Sequence, residues 1–151
     1  MLKKLVLMIA FLSNTAMGEG ECRYSYYPPY DFECVDYVDN YDGDTIKVDI
    51  YYLHPLAFEE ISVRIRGIDT PEINGSTACE RKWAKIIKKT LRKELVKAKQ
   101  IDLRNAERGK YFRYVTDVYV DGKNIADFLL KLPGVQKYGE KFKCPDSFLL
   151  F

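Results

Sequence analysis

Residues 61–72 read "ISVRIRGIDTPE", and the fold turns on how this stretch is understood. Ile61, Val63 and Ile65 alternate with Ser62, Arg64 and Arg66, the period of a strand with one wet face. The run then meets Asp69, a Thr70-Pro71 turn and Glu72. Pro71 pushes Thr70 into extended geometry, so Glu72 projects from the turn that follows. Two carboxylates this close repel unless a cation or separate roles relieve them. Taken alone, the stretch is a strand running into a solvated turn, and only its neighbours give it more.

Those neighbours set a β-rich frame. Residues 35–53, "VDYVDNYDGDTIKVDIYYL", read as strand, Asp42-Gly43 turn and strand. Residues 54–60, "HPLAFEE", read as a loop. From Thr77 the period changes: Trp83, Ile87, Leu91 and Leu95 recur every fourth residue among lysines and arginines, which is a long amphipathic helix. "KQIDLRN" (99–105) and "KYFRYVTDVYV" (110–120) are strands around a loop containing Gly109. Asp121-Gly122 turns the chain, Asn124 caps a short helix with Asp127 near its positive end, and Pro133-Gly134 stops it. The class expected is α+β, mainly β: a five-stranded OB-type barrel with a long helix between strands 3 and 4 and a short C-terminal helix. Such a fold does not by itself carry a function.

The 151 residues suffice for one domain with a core. With 12 Tyr and 8 Phe, and no repeat or low-complexity block, nothing suggests disorder. Residues 1–18 have the layout of a signal peptide: Lys3 and Lys4, an apolar run from Leu5 to Leu12 too short to be retained as a membrane anchor, then small residues. A Tyr/Pro-rich lead-in (19–34), the domain proper (35–144) and a tail (145–151) follow. The expected location is secreted or periplasmic. Without Lys3 and Lys4 the mature chain balances at 22 basic and 22 acidic residues, so attraction to a polyanion must come from local clustering. Four cysteines in an exported chain make an even set with three possible pairings. Cys22–Cys34, closing the short lead-in loop, and Cys79–Cys144, stapling the tail, are the expected pair. Zinc is disfavoured by the lack of a C-x-x-C motif and by His54 being the sole histidine.

Four short signals are weak singly: "DGDT" (42–45) is a hairpin turn, "IDTPE" (68–72) a wet turn, Arg64 a strand-face charge and "KYFR" (110–113) a basic strand start. An EF-hand is excluded because Gly43 does not fall at the sixth position of an Asp-rich loop. In this order and register, however, with a basic amphipathic helix between them, they closely resemble the staphylococcal nuclease (thermonuclease-like) family over roughly Val35 to Lys137.

That resemblance implies a Ca²⁺ ion held by Asp44, Asp69 and the Thr70 carbonyl, Glu72 activating the attacking water, and Arg64 and Arg113 contacting the phosphate. Lys110 and Tyr111 match residues that hold a terminal phosphate, and Tyr138 is a further candidate for the nucleotide pocket. The implied activity is hydrolysis of DNA and RNA with little sequence preference, leaving 3′ phosphates, by a monomer without a retained membrane anchor. Rival readings are a non-catalytic OB module for nucleic acid or protein, which predicts lost carboxylates or arginines where none is lost, and a calcium-stabilised structural domain, which leaves Arg64 and Arg113 without a use. The segment "INGSTACERK" lacks the family's lysine-rich loop, "YYLHPLAFEE" is an insertion, and the His54 within it is read as incidental. The lysines of the long helix are read as a solvated face.

Overall fold

The computed structural model describes residues 32–51 and 53–145. Residues 1–18, expected to be a signal peptide, and Cys22, with the expected Cys22–Cys34 bridge, lie outside the described residues. Two antiparallel strands, β1 (Asp36–Asn40) and β2 (Thr45–Asp49), flank the Asp42-Gly43 turn. A four-residue helix α1 (Pro55–Phe58) follows where a loop was expected. His54 explains it locally: its carbonyl accepts from Ala57 N–H (3.0 Å) and its Nδ1 from Leu56 N–H (3.3 Å). The histidine therefore serves the turn.

The stretch 61–72 divides in two. Strand β3 (Ile61–Ile65) buries Ile61, Val63 and Ile65, as the alternation requires. The expected strand to Ile68 is broken at Gly67, whose φ of +82° belongs to the left-handed region that glycine adopts freely. Past this turn the chain forms a separate two-residue strand β4 (Ile68–Asp69), paired with β8 (Gln136–Lys137). Alternation lapses at this point, with Ile68 out of step with Ile61, Val63 and Ile65, a local sign of the break.

Helix α2 (Ala78–Lys97) starts where expected: Thr77 accepts from Glu80 N–H, and Glu80 reaches back to Ser76 N–H. It buries Ala84, Ile87, Leu91 and Leu95 against the sheet. A Cys79–Cys144 disulfide ties its first turn to the C-terminal segment, the second expected pairing. The long antiparallel pair β5 (Ile101–Arg108) and β6 (Tyr114–Val120) comes next. Two-residue strand β7 (Lys123–Asn124) follows, and Asn124 caps helix α3 (Ile125–Leu129) through Ala126 N–H.

The main sheet runs β1-β2-β3-β6-β5, with β3 and β6 parallel and β7 appended to β6. This corrects the expected barrel in strand number and closure. Among the described residues there are eight strands, the long helix follows β4, and no ladder joins β5 to β1. The two edges are linked more sparsely: Phe32 and Leu103 exchange backbone hydrogen bonds (2.8 and 2.7 Å), and Val35 N–H donates to the Ile101 carbonyl (2.9 Å).

One contact ties this frame to the site. A methyl on Gly43 would meet Ile87 Cγ2 at 2.6 Å and Thr70 Cβ at 3.0 Å, so the turn fits against α2 and the "DTP" segment only without a side chain. Gly43→Ala is expected to lose about 1–3 kcal/mol, the usual cost of forcing atoms into a packed contact, in a urea titration. A variant as stable as its parent would show that the turn does not sit there.

Candidate active site

The site begins at the β1–β2 turn. Asp42 accepts from the N–H groups of Asp44 (3.0 Å) and Thr45 (2.7 Å), and Asn40 donates to the Asp42 and Lys88 carbonyls (2.7 and 3.1 Å). This local wrapping is what the Asp-Gly turn chemistry favours, and it fixes the direction in which Asp44 points. The Asp44 carbonyl accepts from Ile65 N–H (2.8 Å), which anchors the turn to the end of β3.

Asp44 is only 3% exposed, and four donors surround its carboxylate. Oδ1 accepts from Arg64 Nη1 (2.8 Å) and Thr45 Oγ1 (3.1 Å), and Oδ2 accepts from Thr70 N–H and Thr70 Oγ1 (both 3.0 Å). The other end of the Arg64 guanidinium donates to Asp69 Oδ1 and to the Ile68 carbonyl (3.4 Å). Asp69 Oδ2 accepts from Gly139 N–H (2.6 Å), and Tyr138 N–H donates to the Gly67 carbonyl (3.0 Å). The segment after β8 is thereby laid across the site, with the Tyr138 ring 5.8 Å from the Arg64 carbon Cζ.

Beside this cluster lies a cleft of about 540 Å³, of a size that takes a small ligand. Arg64, Arg66, Lys110, Arg113 and Tyr138 line it, and no carboxylate does. Arg64 and Arg66 are each met by two carboxylates, so the attraction of the cleft for an anion such as phosphate rests chiefly on Lys110 and Arg113. The geometry thus separates the signs: a carboxylate pair on one side of Arg64, a basic cleft on the other.

The sequence-derived residues fall into three groups. Asp44, Arg64, Asp69 and Thr70 are in direct contact. Lys110, Arg113 and Tyr138 join Arg64 around the cleft. Tyr111 and Glu72 belong to neither set: Tyr111 stacks near Arg113 (5.8 Å) but lines a neighbouring depression. Glu72 is exposed, with only its carbonyl engaged, by Gly75 N–H (2.9 Å).

Arg66, to which the family resemblance assigns no role, lines the cleft. Its charge is met by Glu107 and Asp117 (both 3.4 Å), and it donates to the carbonyls of Asn105 (2.6 Å) and Val115 (3.1 Å). It stiffens the wall by tying the β3–β4 turn to β5 and β6. The signal was present, since Arg66 shares the polar face of Arg64, but its counter-ions lie about forty to fifty residues away in sequence.

The residues fit a hard cation. Asp44 and Asp69, from different elements, converge on a single guanidinium, and Thr70 adds further oxygen; no thiolate or imidazole is among them. Among the described residues no group of three or more His, Cys, Asp or Glu side chains is arranged for a metal, so backbone or solvent oxygens must complete any coordination.

Burial, with the nearby Asp42 charge adding to it, pushes the Asp44 carboxyl up from its ordinary 3.8 to about 6, against the pull of Arg64 and the Thr70 donors. The folded state therefore holds this proton more tightly than the unfolded chain. The resulting stability is full below about pH 4 and is lost as pH rises through about 6. In chelator, Asp44→Asn should gain on the parent over that window in urea titrations at successive pH values. Parallel curves for the two proteins would contradict the shift.

A family model for staphylococcal nuclease homologues matches residues 62–141. The chain is 38% identical over 93 residues to endonuclease YncB of Bacillus subtilis (strain 168), covering 60% of this chain and 41% of that protein. It is 37% identical over 93 residues to the SPbeta prophage-derived endonuclease YokF of the same organism, covering 60% of this chain and 29% of that protein. The chain thus spans less than half the length of these relatives. With more than half of its length matched, and with the cleft and Asp69 inside the matched region and Asp44 ahead of it, the chain belongs to the staphylococcal nuclease homologue family.

Proposed function

We propose that the chain is an exported, calcium-dependent nuclease that hydrolyses phosphodiester bonds of DNA and RNA with little sequence preference, acting as a monomer and leaving 3′ phosphates. The observation that carries this reading is the placement of Arg64 between the Asp44–Asp69 pair and a cleft lined by Arg66, Lys110 and Arg113. Phosphodiester hydrolysis needs a phosphate whose charge is neutralised and a base for the attacking water; the two halves of the site serve the first need, and Glu72, from outside both, is assigned the second. Export suits the Cys79–Cys144 disulfide, which persists in oxidising compartments. Among the described residues no helix is long and apolar enough to cross a membrane.

In this reading Arg64 and Arg113 bind the non-bridging oxygens of the scissile phosphate, and their planar, permanently charged forks stabilise the charge that builds up in the transition state. Lys110 and Tyr138 hold the neighbouring nucleotide. Asp44, Asp69 and the Thr70 oxygen would hold Ca²⁺, which supplies a Lewis acid for a phosphate oxygen. Glu72 takes the proton of the attacking water as its oxygen bonds to phosphorus. The bond from phosphorus to the 5′ oxygen breaks, and that oxygen takes a proton from solvent. General-base action supplies about 10²–10⁴ in rate, so electrostatic stabilisation carries the larger share.

Digestion of single-stranded DNA and of RNA by the chain lacking residues 1–18 should proceed with Ca²⁺ and stop in EDTA. Arg113→Ala is expected to lower kcat by about 10²–10³, the usual cost of removing one transition-state donor, and Glu72→Gln by about 10²–10⁴. Binding of nucleic acid without hydrolysis under every metal tried would make the chain a binding module instead. Full turnover in Glu72→Gln would remove that residue from the chemistry.

A further inference from the structure

The hairpin between β5 and β6 was expected to continue as a strand through 110–113, and instead it closes in a tight turn. Arg113 N–H donates to the Lys110 carbonyl (3.3 Å), and Gly109 N–H to the Arg113 carbonyl (2.7 Å). Tyr111 and Phe112 occupy the two central positions with φ of +59° and +58°, a left-handed conformation that bulky side chains rarely adopt. Both rings are held out into solvent, 83% and 85% exposed. Folding alone favours glycine or asparagine here. Strain of this kind concentrates at binding surfaces.

Each ring has a cation beside it: Arg113 Cζ lies 5.8 Å from the Tyr111 ring centre, and Arg108 Cζ 5.7 Å from that of Phe112. A depression of about 390 Å³ is lined by Tyr111, Phe112, Tyr114 and Arg108 together with Glu59 and Glu60. Lys110, which lines the basic cleft, immediately precedes Tyr111. The lining of the cleft and the lining of the depression thus adjoin along the chain at Lys110 and Tyr111.

We infer that Phe112, backed by Arg108, is a base-stacking subsite for single-stranded nucleic acid extending from the cleft; this rests on the nuclease reading above. Of the two acids in the lining, Glu60 is paired with Lys47 (2.6 Å), while Glu59 repels phosphate and accepts hydrogen bonds from exocyclic amines, so the occupant is a base with its phosphates turned toward Lys110 and Arg108. An aromatic face takes any base that is not already stacked in a duplex. The subsite thus favours single strands longer than the cleft alone can hold.

The test compares kcat/KM for a single-stranded DNA 12-mer with that for a dinucleotide. Phe112→Gly fits the observed φ without strain, so its melting temperature should be no lower than the parent's. The 12-mer to dinucleotide ratio should fall about 5- to 150-fold, as expected for one lost stacking contact, and Phe112→Trp should restore it. An unchanged ratio in Phe112→Gly, or a ratio in Phe112→Trp as low as in Phe112→Gly, overturns the subsite. A parent protein that cleaves neither substrate would instead overturn the nuclease reading on which the subsite depends.

Discussion

The guanidinium of Arg64, spanning Asp44 and Asp69, is the contact on which the rest of the site depends. It joins the β1–β2 turn to the β4 segment, elements that repel each other through their carboxylates. Both acids are substantially withdrawn from water, so removing the cation between them leaves charge that neither burial nor solvent relieves. The surrounding geometry is arranged to make this bridge possible. Asp42 orients the turn, Gly43 lets it approach Thr70 and Ile87, and Gly67 swings β4 out of the main sheet so that Asp69 faces back toward Arg64. The chain after β8 then covers the bridge with Tyr138 and donates to Asp69 through Gly139.

Arg64 also lines the basic cleft, so it answers to two anionic environments at once. One is internal and permanent; the other is whatever anion enters from solvent. A cation taken up by the carboxylates and a phosphate taken up by the cleft both draw on this residue, which couples the two halves of the site through a single side chain. Arg66 also has two carboxylate partners, Glu107 and Asp117, but these belong to β5 and β6 rather than to the Asp44–Asp69 pair, so it does not link the two halves.

Much of this was legible in the sequence because the signals were local. The alternation of Ile61, Val63 and Ile65, the fourfold spacing to Leu95 in α2, and the Thr77 and Asn124 caps each depend on residues close in the chain. The grouping of Asp44, Arg64, Asp69 and Thr70 was legible only through family resemblance, since 25 residues separate the two carboxylates. What escaped was set at long range or by backbone geometry. The split of the strand at Gly67 depends on its pairing with β8, and the sparse linkage between the outer strands depends on Phe32 meeting Leu103. The turn at Tyr111 and Phe112 was hidden because both residues carry strand-forming side chains while their backbone is left-handed.

If Arg64 is the cation that the carboxylate pair holds in the resting protein, then it competes with any metal ion for Asp44 and Asp69. Calorimetric titration of Ca²⁺ into Arg64→Ala and into the parent, both without nucleotide, addresses this most directly. Binding at least as tight in the variant as in the parent is the predicted result, together with loss of nuclease activity. Distinctly weaker Ca²⁺ binding in the variant would contradict it and assign Arg64 to building the metal site rather than competing for it.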